Sequence, residues 1–139
     1  MRSAFLALGA AIAALGVSTY LTVEHYDHGS SLACPESAAI NCLKVTTSKW
    51  SAVAGVPVAV AGLAYFAVMT VLLLAALRRP ALEPLSLAGA AVGVLGALYL
   101  VGVELFAVDA ICLWCTAVHV LTLVMFGATL WRWQIRTAV

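Results

Sequence analysis

The sequence predicts an all-α integral membrane protein: a bundle of four transmembrane helices with a long loop between the first two. Three observations predict it. The 139 residues are 65% hydrophobic and 9% charged, against roughly 25% charged in soluble domains. A core of this size cannot hide so much apolar surface, so lipid must be the solvent. Four apolar runs, at about 4–23, 56–77, 85–108 and 111–131, are each long enough for a helix to cross hydrocarbon. None of them alternates polar with apolar residues, and an open sheet would leave backbone groups unpaired in lipid.

The first run follows Arg2 and has one positive charge before a short apolar core, as a secretory signal does. The small-residue cleavage site is poorly formed around Gly16–Val17–Ser18–Thr19–Tyr20, so the helix is expected to be retained. Gly9, Ala13 and Gly16 are expected to let it approach its neighbours closely. The loop over 25–55 follows. Loops of this length are usually functional or disordered, and this one holds Cys34, Cys42 and Trp50. Its stretch Thr46-Thr47-Ser48-Lys49-Trp50 is amphipathic enough to lie on the membrane as a short half-helix, a lid over the bundle.

Pro57 opens the second run, where a missing N–H does little harm. Pro80 and Pro84 bracket the turn into the third. There Gly89, Gly93 and Ala97 fall at spacing four, with Gly96 and Gly102 nearby, a pattern read as bundle packing rather than a binding site. Asp109 is expected to cap the fourth run. The whole chain, 1–139, reads as one domain, without internal repeat or low-complexity tract.

Charge sets the expected orientation. With four spans, Arg2, Arg78, Arg79, Arg132 and Arg136 fall on one face, which the positive-inside rule makes cytoplasmic. Five arginines less Glu83 leave +4 there. Lys44 and Lys49 against Glu24, Asp27, Glu36, Glu104 and Asp109 leave −3 on the other face, together the chain's +1. The reading is a multi-pass plasma-membrane protein with both termini cytoplasmic and all four cysteines extracytoplasmic, where disulfides persist.

The cysteines form two pairs, Cys34 with Cys42 in the loop and Cys112 with Cys115 in a Cys-Leu-Trp-Cys motif. Residues three apart share a helix face, so Cys112 and Cys115 can bridge. A thiolate near a helix N-terminus is stabilised by the dipole and free N–H groups, although the Asp109 charge opposes this. A disulfide closing so small a loop is a poor staple, which favours a redox role. A four-cysteine zinc site suits these spacings badly, and haem attachment needs a histidine where Thr116 stands. Cys34 and Cys42 taken alone fit either a structural bridge or a shuttle pair; beside a second pair on the same face the shuttle is favoured, with exchange by thiolate attack.

No metal or nucleotide motif is present and no nucleic-acid partner is expected, so the natural electron acceptor is a lipid-soluble quinone. His119 lies on the same helix face as the Cys-x-x-Cys. An ionisable group inside a span is by default a functional candidate, here to bond a quinone carbonyl or move a proton. Trp50 and Trp114 are interfacial anchors or pocket walls, with Trp50 leaning to the pocket. Glu104 is expected to snorkel to the interface, and His25 and His28 to lie on the surface.

These residues resemble the vitamin K epoxide reductase family in its short bacterial form, over the whole four-helix chain. The resemblance rests on Cys34-x7-Cys42, Val45-Thr46-Thr47-Ser48-Lys49-Trp50, Gly62 and Cys112-Leu113-Trp114-Cys115. It implies that Cys115 meets the quinone, that Cys112 exchanges with Cys42, and that Cys34 receives electrons from a DsbA-like thioredoxin-fold protein. It also implies that Ser48 and Trp50 lie near the quinone, of menaquinone, ubiquinone or vitamin K type. Relatives commonly place an asparagine four residues before Gly62, where this chain has Val58, and a pocket tyrosine where it has His119. The chain ends at Val139, so the partner is expected to be separate. The implied activity is a thiol-disulfide oxidoreductase supporting disulfide formation. Alternatives are a vitamin K quinone or epoxide reductase, which Val58 leans against, a scaffold with structural disulfides, and a metal-binding membrane protein.

Overall fold

A computed structural model describes residues 2–28 and 32–138. The elements in order are α1 (Arg2–Tyr26), the short α2 (Cys42–Thr46), strands β1 (Ala52–Val53) and β2 (Val56–Pro57), α3 (Val58–Arg78), α4 (Glu83–Val103) and α5 (Leu113–Thr137). A 3-10 turn, Pro80–Leu82, leads into α4, and a π-helical turn, Glu104–Val108, ends it. Among the described residues, α1, α3, α4 with its flanking turns, and α5 are long and apolar enough to cross a membrane. The 21 residues of α3 rise about 31 Å, enough for a hydrocarbon core of about 30 Å.

The chain runs up and down, so the loop after α1 and the start of α5 lie at one end of the bundle. The five arginines lie at the other. Helix α1 is central and packs most extensively on α5 and α3; α4 packs on α5, while α3 and α4 meet over much less surface. The reason lies in the pattern of α1. Its buried positions Ala4, Ala7, Ala11, Ala14, Ser18 and Leu21 alternate steps of three and four, the seam of a left-handed helix pair. Four alanines in that seam let backbones approach, the main route to association where lipid is as apolar as the side chains. The expected stripe of Gly9, Ala13 and Gly16 is corrected: all three face outward, and a Cβ at Gly9 or Gly16 would meet nothing. In α4 the glycine reading holds at two positions, since a Cβ would strike the Met69 sulfur at Gly89 and the Tyr65 hydroxyl at Gly93. Gly96 and Gly102 have open space.

The central core joins Ala7, Ala11, Phe66, Met69, Ala90 and Met125. The bundle's outer surface carries Val68, Val71, Leu95 and Leu98, each more than 60% exposed, as a lipid-facing surface requires. Hydroxyls inside the spans bond to their own helix: Thr70 donates to the Phe66 carbonyl, Thr122 to Val118 and Thr129 to Met125. Each of these three hydroxyls is thereby satisfied within its own helix.

At the arginine end, the Glu83 carboxylate is 5% exposed and is clasped by Arg132 Nε, with Arg136 Nε at 3.2 Å. Arg132 also donates to the Ala76 carbonyl, at 3.0 Å, near the end of α3. One guanidinium thus ties α5 to α3 and α4.

The loop is more ordered than a surface half-helix. The helix falls earlier than expected, at Cys42–Thr46, capped by Asn41 Oδ1 accepting the Lys44 N–H at 2.8 Å. Thr47–Trp50 form turns, and the β1–β2 hairpin reverses through Ala54 and Gly55, both at positive φ.

Candidate redox site

The site is built where the loop meets the start of α5. The π-turn closes on Asp109, which sits in the left-handed region at φ 52°. Its reversal sends Ile111 into a parallel bridge with Ile40: Ile111 N–H donates to the Ala39 carbonyl at 2.9 Å, and Asn41 N–H to the Ile111 carbonyl at 3.1 Å. The expected Asp109 cap is therefore corrected. Asp109 ends the π-turn, and Cys112 is the N-cap of α5, its sulfur accepting the Cys115 N–H at 3.2 Å. The bridge decides the difference, because it holds residue 111 extended and delays the helix.

The consequence is chemical. Cys112 Sγ occupies the place that a serine or aspartate oxygen usually fills at a helix start, facing free N–H groups and the positive end of the dipole. The Cys115 thiol and backbone N–H donate to it and pull the Cys112 thiol below its ordinary pKa, outweighing burial and the opposing Glu104 charge. A lowered thiol pKa makes the nucleophilic thiolate available. Cys34 and Cys42 are joined by a disulfide, while Cys112 and Cys115 are free. The loop pair is largely enclosed: Cys34 is half-buried and Cys42 is 1% exposed. The Ile40–Ile111 bridge lies just before both cysteines: Cys42 opens α2 two residues after Ile40, and Cys112 follows Ile111 directly.

Further contacts hold the loop down. Trp114 Nε1 donates to the Ala33 carbonyl at 2.8 Å, the Tyr20 hydroxyl accepts the Ala33 N–H at 2.9 Å, and the two rings meet at 5.1 Å. Trp114 thus clamps the residue before Cys34 and is not among the residues that line the cavity beneath the loop. Lys44 Nζ donates to the Asp109 carbonyl at 3.2 Å.

Beneath the loop, a cavity of about 330 Å³ enters the bundle, within the roughly 300–1,000 Å³ common for ligand sites. The expected site residues divide there. Cys115, His119, Trp50, Ser48 and Val58 all line it; Cys34, Cys42 and Cys112 do not. His119 is 7% exposed. Its wall between α3 and α4 is thin: Ala61, Val92 and Gly96 line the cavity and are also exposed on the bundle's surface.

Three lining residues escaped the sequence reading. Tyr65, which donates to the Gly89 carbonyl at 2.9 Å, lies seven residues after Val58 and so shares its face. His25 lines the cavity rather than lying on the surface. Glu104 does not snorkel: it is 5% exposed, and its Oε2 accepts the Cys112 backbone N–H at 3.3 Å. Its charge inside a span was the available signal.

A model of the vitamin K epoxide reductase family matches residues 5–130. The chain belongs to this family. Membership makes it a membrane oxidoreductase in general terms and accounts for two thiol pairs gathered at one end of a four-helix bundle. No curated protein gives a match. Val58 and His119 both line the cavity.

Proposed function

We propose that the protein oxidises the thiols of an extracytoplasmic DsbA-like thioredoxin-fold partner and passes the electrons to a quinone of menaquinone, ubiquinone or vitamin K type. The single observation that carries this reading is the division of the second pair: Cys115 lines the cavity, whereas Cys112 lies buried outside it, next to the bridge that Ile111 makes with Ile40, two residues before Cys42. The path runs from the partner to Cys34, to Cys42, to Cys112, to Cys115 and out into the cavity. The arginines at the opposite end support a plasma-membrane orientation with the cysteines extracytoplasmic.

The cavity fits a quinone ring by its chemistry. It is mainly apolar, with His119, Ser48 and Tyr65 as hydrogen-bonding groups, and Trp50 and Val58 supply flat and aliphatic contact. A quinone, when bound, supplies a two-electron sink. Cys112 thiolate takes part in exchange with Cys42, Cys115 delivers the electron pair, and His119 carries a proton to a ring oxygen.

The test is thiol-driven quinone reduction by purified protein in lipid, with the quinone and its vitamin K epoxide assayed side by side. Donor thiols are expected to disappear in step with quinone, and Cys112→Ala to stop both. Unchanged quinone reduction in Cys112→Ala would sink the proposal.

The clamp gives a subtler expectation. Trp114→Phe keeps a ring against Tyr20 but removes the N–H to Ala33. A neutral hydrogen bond contributes about 1 kcal/mol, so electron delivery from the protein partner should slow about fivefold while a small dithiol donor is unaffected. Equal slowing with both donors would contradict a role in presenting Cys34.

A further inference from the structure

The proposed reaction must move two protons as well as two electrons. When Cys112 and Cys115 form their bridge, two S–H bonds break, one S–S bond forms, two electrons pass to the quinone and its two oxygens each gain a proton. His119 serves one oxygen. We infer that Glu104 serves the other, accepting the Cys112 proton and handing it into the cavity. This inference rests on the quinone-reducing function proposed above.

The placement of Glu104 supports the role. Its carboxylate is one residue contact from the attacking thiol, bonded to the Cys112 N–H at 3.3 Å. It lines the cavity together with Cys115 and His119, so it adjoins both the proton's source and its destination. Among the described residues no basic side chain forms an ion pair with it, which leaves it free to exchange a proton rather than being pinned as a structural carboxylate. The residue sits at the first position of the π-helical turn. Such turns are rare and frequently mark functional sites, and this one ends in a non-glycine residue at positive φ, Asp109, a strained conformation that the surrounding structure must sustain.

In sequence, the Cys112 thiol passes its proton to Glu104 and the Cys115 thiol passes its own to His119 as the S–S bond forms, and the electron pair released goes to the quinone. The carboxyl, now neutral, donates that proton to the nearer ring oxygen. Glu104 returns to the carboxylate and both thiol protons reside on the quinol, so atoms and electrons balance without a further co-reactant.

Titration of the pair is set by its surroundings. At the start of α5 the Cys112 and Cys115 thiols and the His119 imidazole adjoin this region; from α3 comes Tyr65, and from the end of α1 comes His25. Lys44 of α2 approaches through the Asp109 carbonyl. Two acids so close exchange a proton as a unit and titrate together.

The experiment replaces Glu104 with glutamine, which keeps an oxygen to accept the Cys112 N–H but cannot carry a proton. Two readouts are taken. In quinone-free protein, the Cys112 thiolate is titrated by pH-dependent alkylation; its midpoint should fall by about one unit once the neighbouring charge is gone. In the full reaction, kcat should fall at least tenfold, within the range of about 10²–10⁴ for general acid-base groups or just below it, with KM for quinone little changed. Glu104→Asp, which keeps a carboxyl, should recover part of the rate. Wild-type kcat in Glu104→Gln, a lowered kcat with an unmoved Cys112 midpoint, or an aspartate variant no faster than the glutamine one would each overturn the inference. Wild-type protein that reduces no quinone would instead overturn the function on which it rests.

Discussion

Cys115→Ser is expected to lower quinone reduction by at least about 10³-fold, the scale of removing a covalent nucleophile, and to leave a protein in which Cys42 and Cys112 become joined. The two halves of this expectation have separate origins. Cys115 is the cysteine that lines the cavity, and a serine there cannot exchange electrons, so the exit is closed. Cys112 keeps its place at the helix cap, directly after the bridged Ile111. By the reverse of the proposed exchange, its thiolate attacks Cys42 of the Cys34–Cys42 bond and releases the Cys34 thiolate, and with no Cys115 to draw Cys112 away, a Cys42–Cys112 bridge accumulates. Peptide mapping under non-reducing conditions reads the bridge directly. A Cys34–Cys112 bridge, or quinone reduction above about a tenth of wild type, would show the path to be drawn wrongly.

Arg132→Ala is expected to destabilise the bundle by about 3 kcal/mol, toward the low end of the range of about 3–5 kcal/mol for removing one partner of a buried pair. Both side chains are largely enclosed, 13% exposed for Arg132 and 7% for Glu83. The alanine leaves the Glu83 carboxylate in a poorly solvated place, with Arg136 as remaining partner, and that side chain is 43% exposed. It also frees the Ala76 carbonyl. Thermal unfolding in detergent should show a midpoint lowered by roughly 10 °C. Arg132→Lys should lose part of this, since an ammonium cannot reproduce the planar fork that reaches α3 and α4 together. In the double variant with Glu83→Gln, much of the loss should disappear, because the charge left stranded is then gone. A midpoint within 2 °C, the size of a change of roughly half a kcal/mol, would mean the cluster contributes little.

The four spans were legible because hydropathy and length report the solvent directly. The pairing of cysteines at one end followed from counting spans. The packing face of α1 was not legible, since small residues recur all round that helix: Gly9, Ala13 and Gly16 satisfy a spacing rule as well as Ala4, Ala7, Ala11 and Ala14 do. Only the partner helices choose between them. The cap of α5 was misplaced for a similar reason. Asp109 is the better capping residue by type, but the Ile40–Ile111 bridge, between residues far apart in sequence, holds the chain extended to Cys112. Glu104 was assigned to the interface because a carboxylate near a helix end usually escapes to water; the π-turn and the Cys112 N–H keep it inside. His119, Ser48 and Trp50 line the cavity, and so does Tyr65, although an aromatic residue in an apolar helix gives no distinct signal.

The thin wall between α3 and α4 has a consequence for how occupancy of the cavity is reckoned. Ala61, Val92 and Gly96 line the cavity and are exposed on the bundle's outer surface, so the proposed quinone would enter by lateral diffusion within the leaflet and leave its tail there. The quantity that fills the site is then the ligand's mole fraction in the membrane, not its molarity in the surrounding buffer. Diluting the protein with more lipid at fixed total quinone should lower turnover, while diluting the whole suspension with water should leave it nearly unchanged.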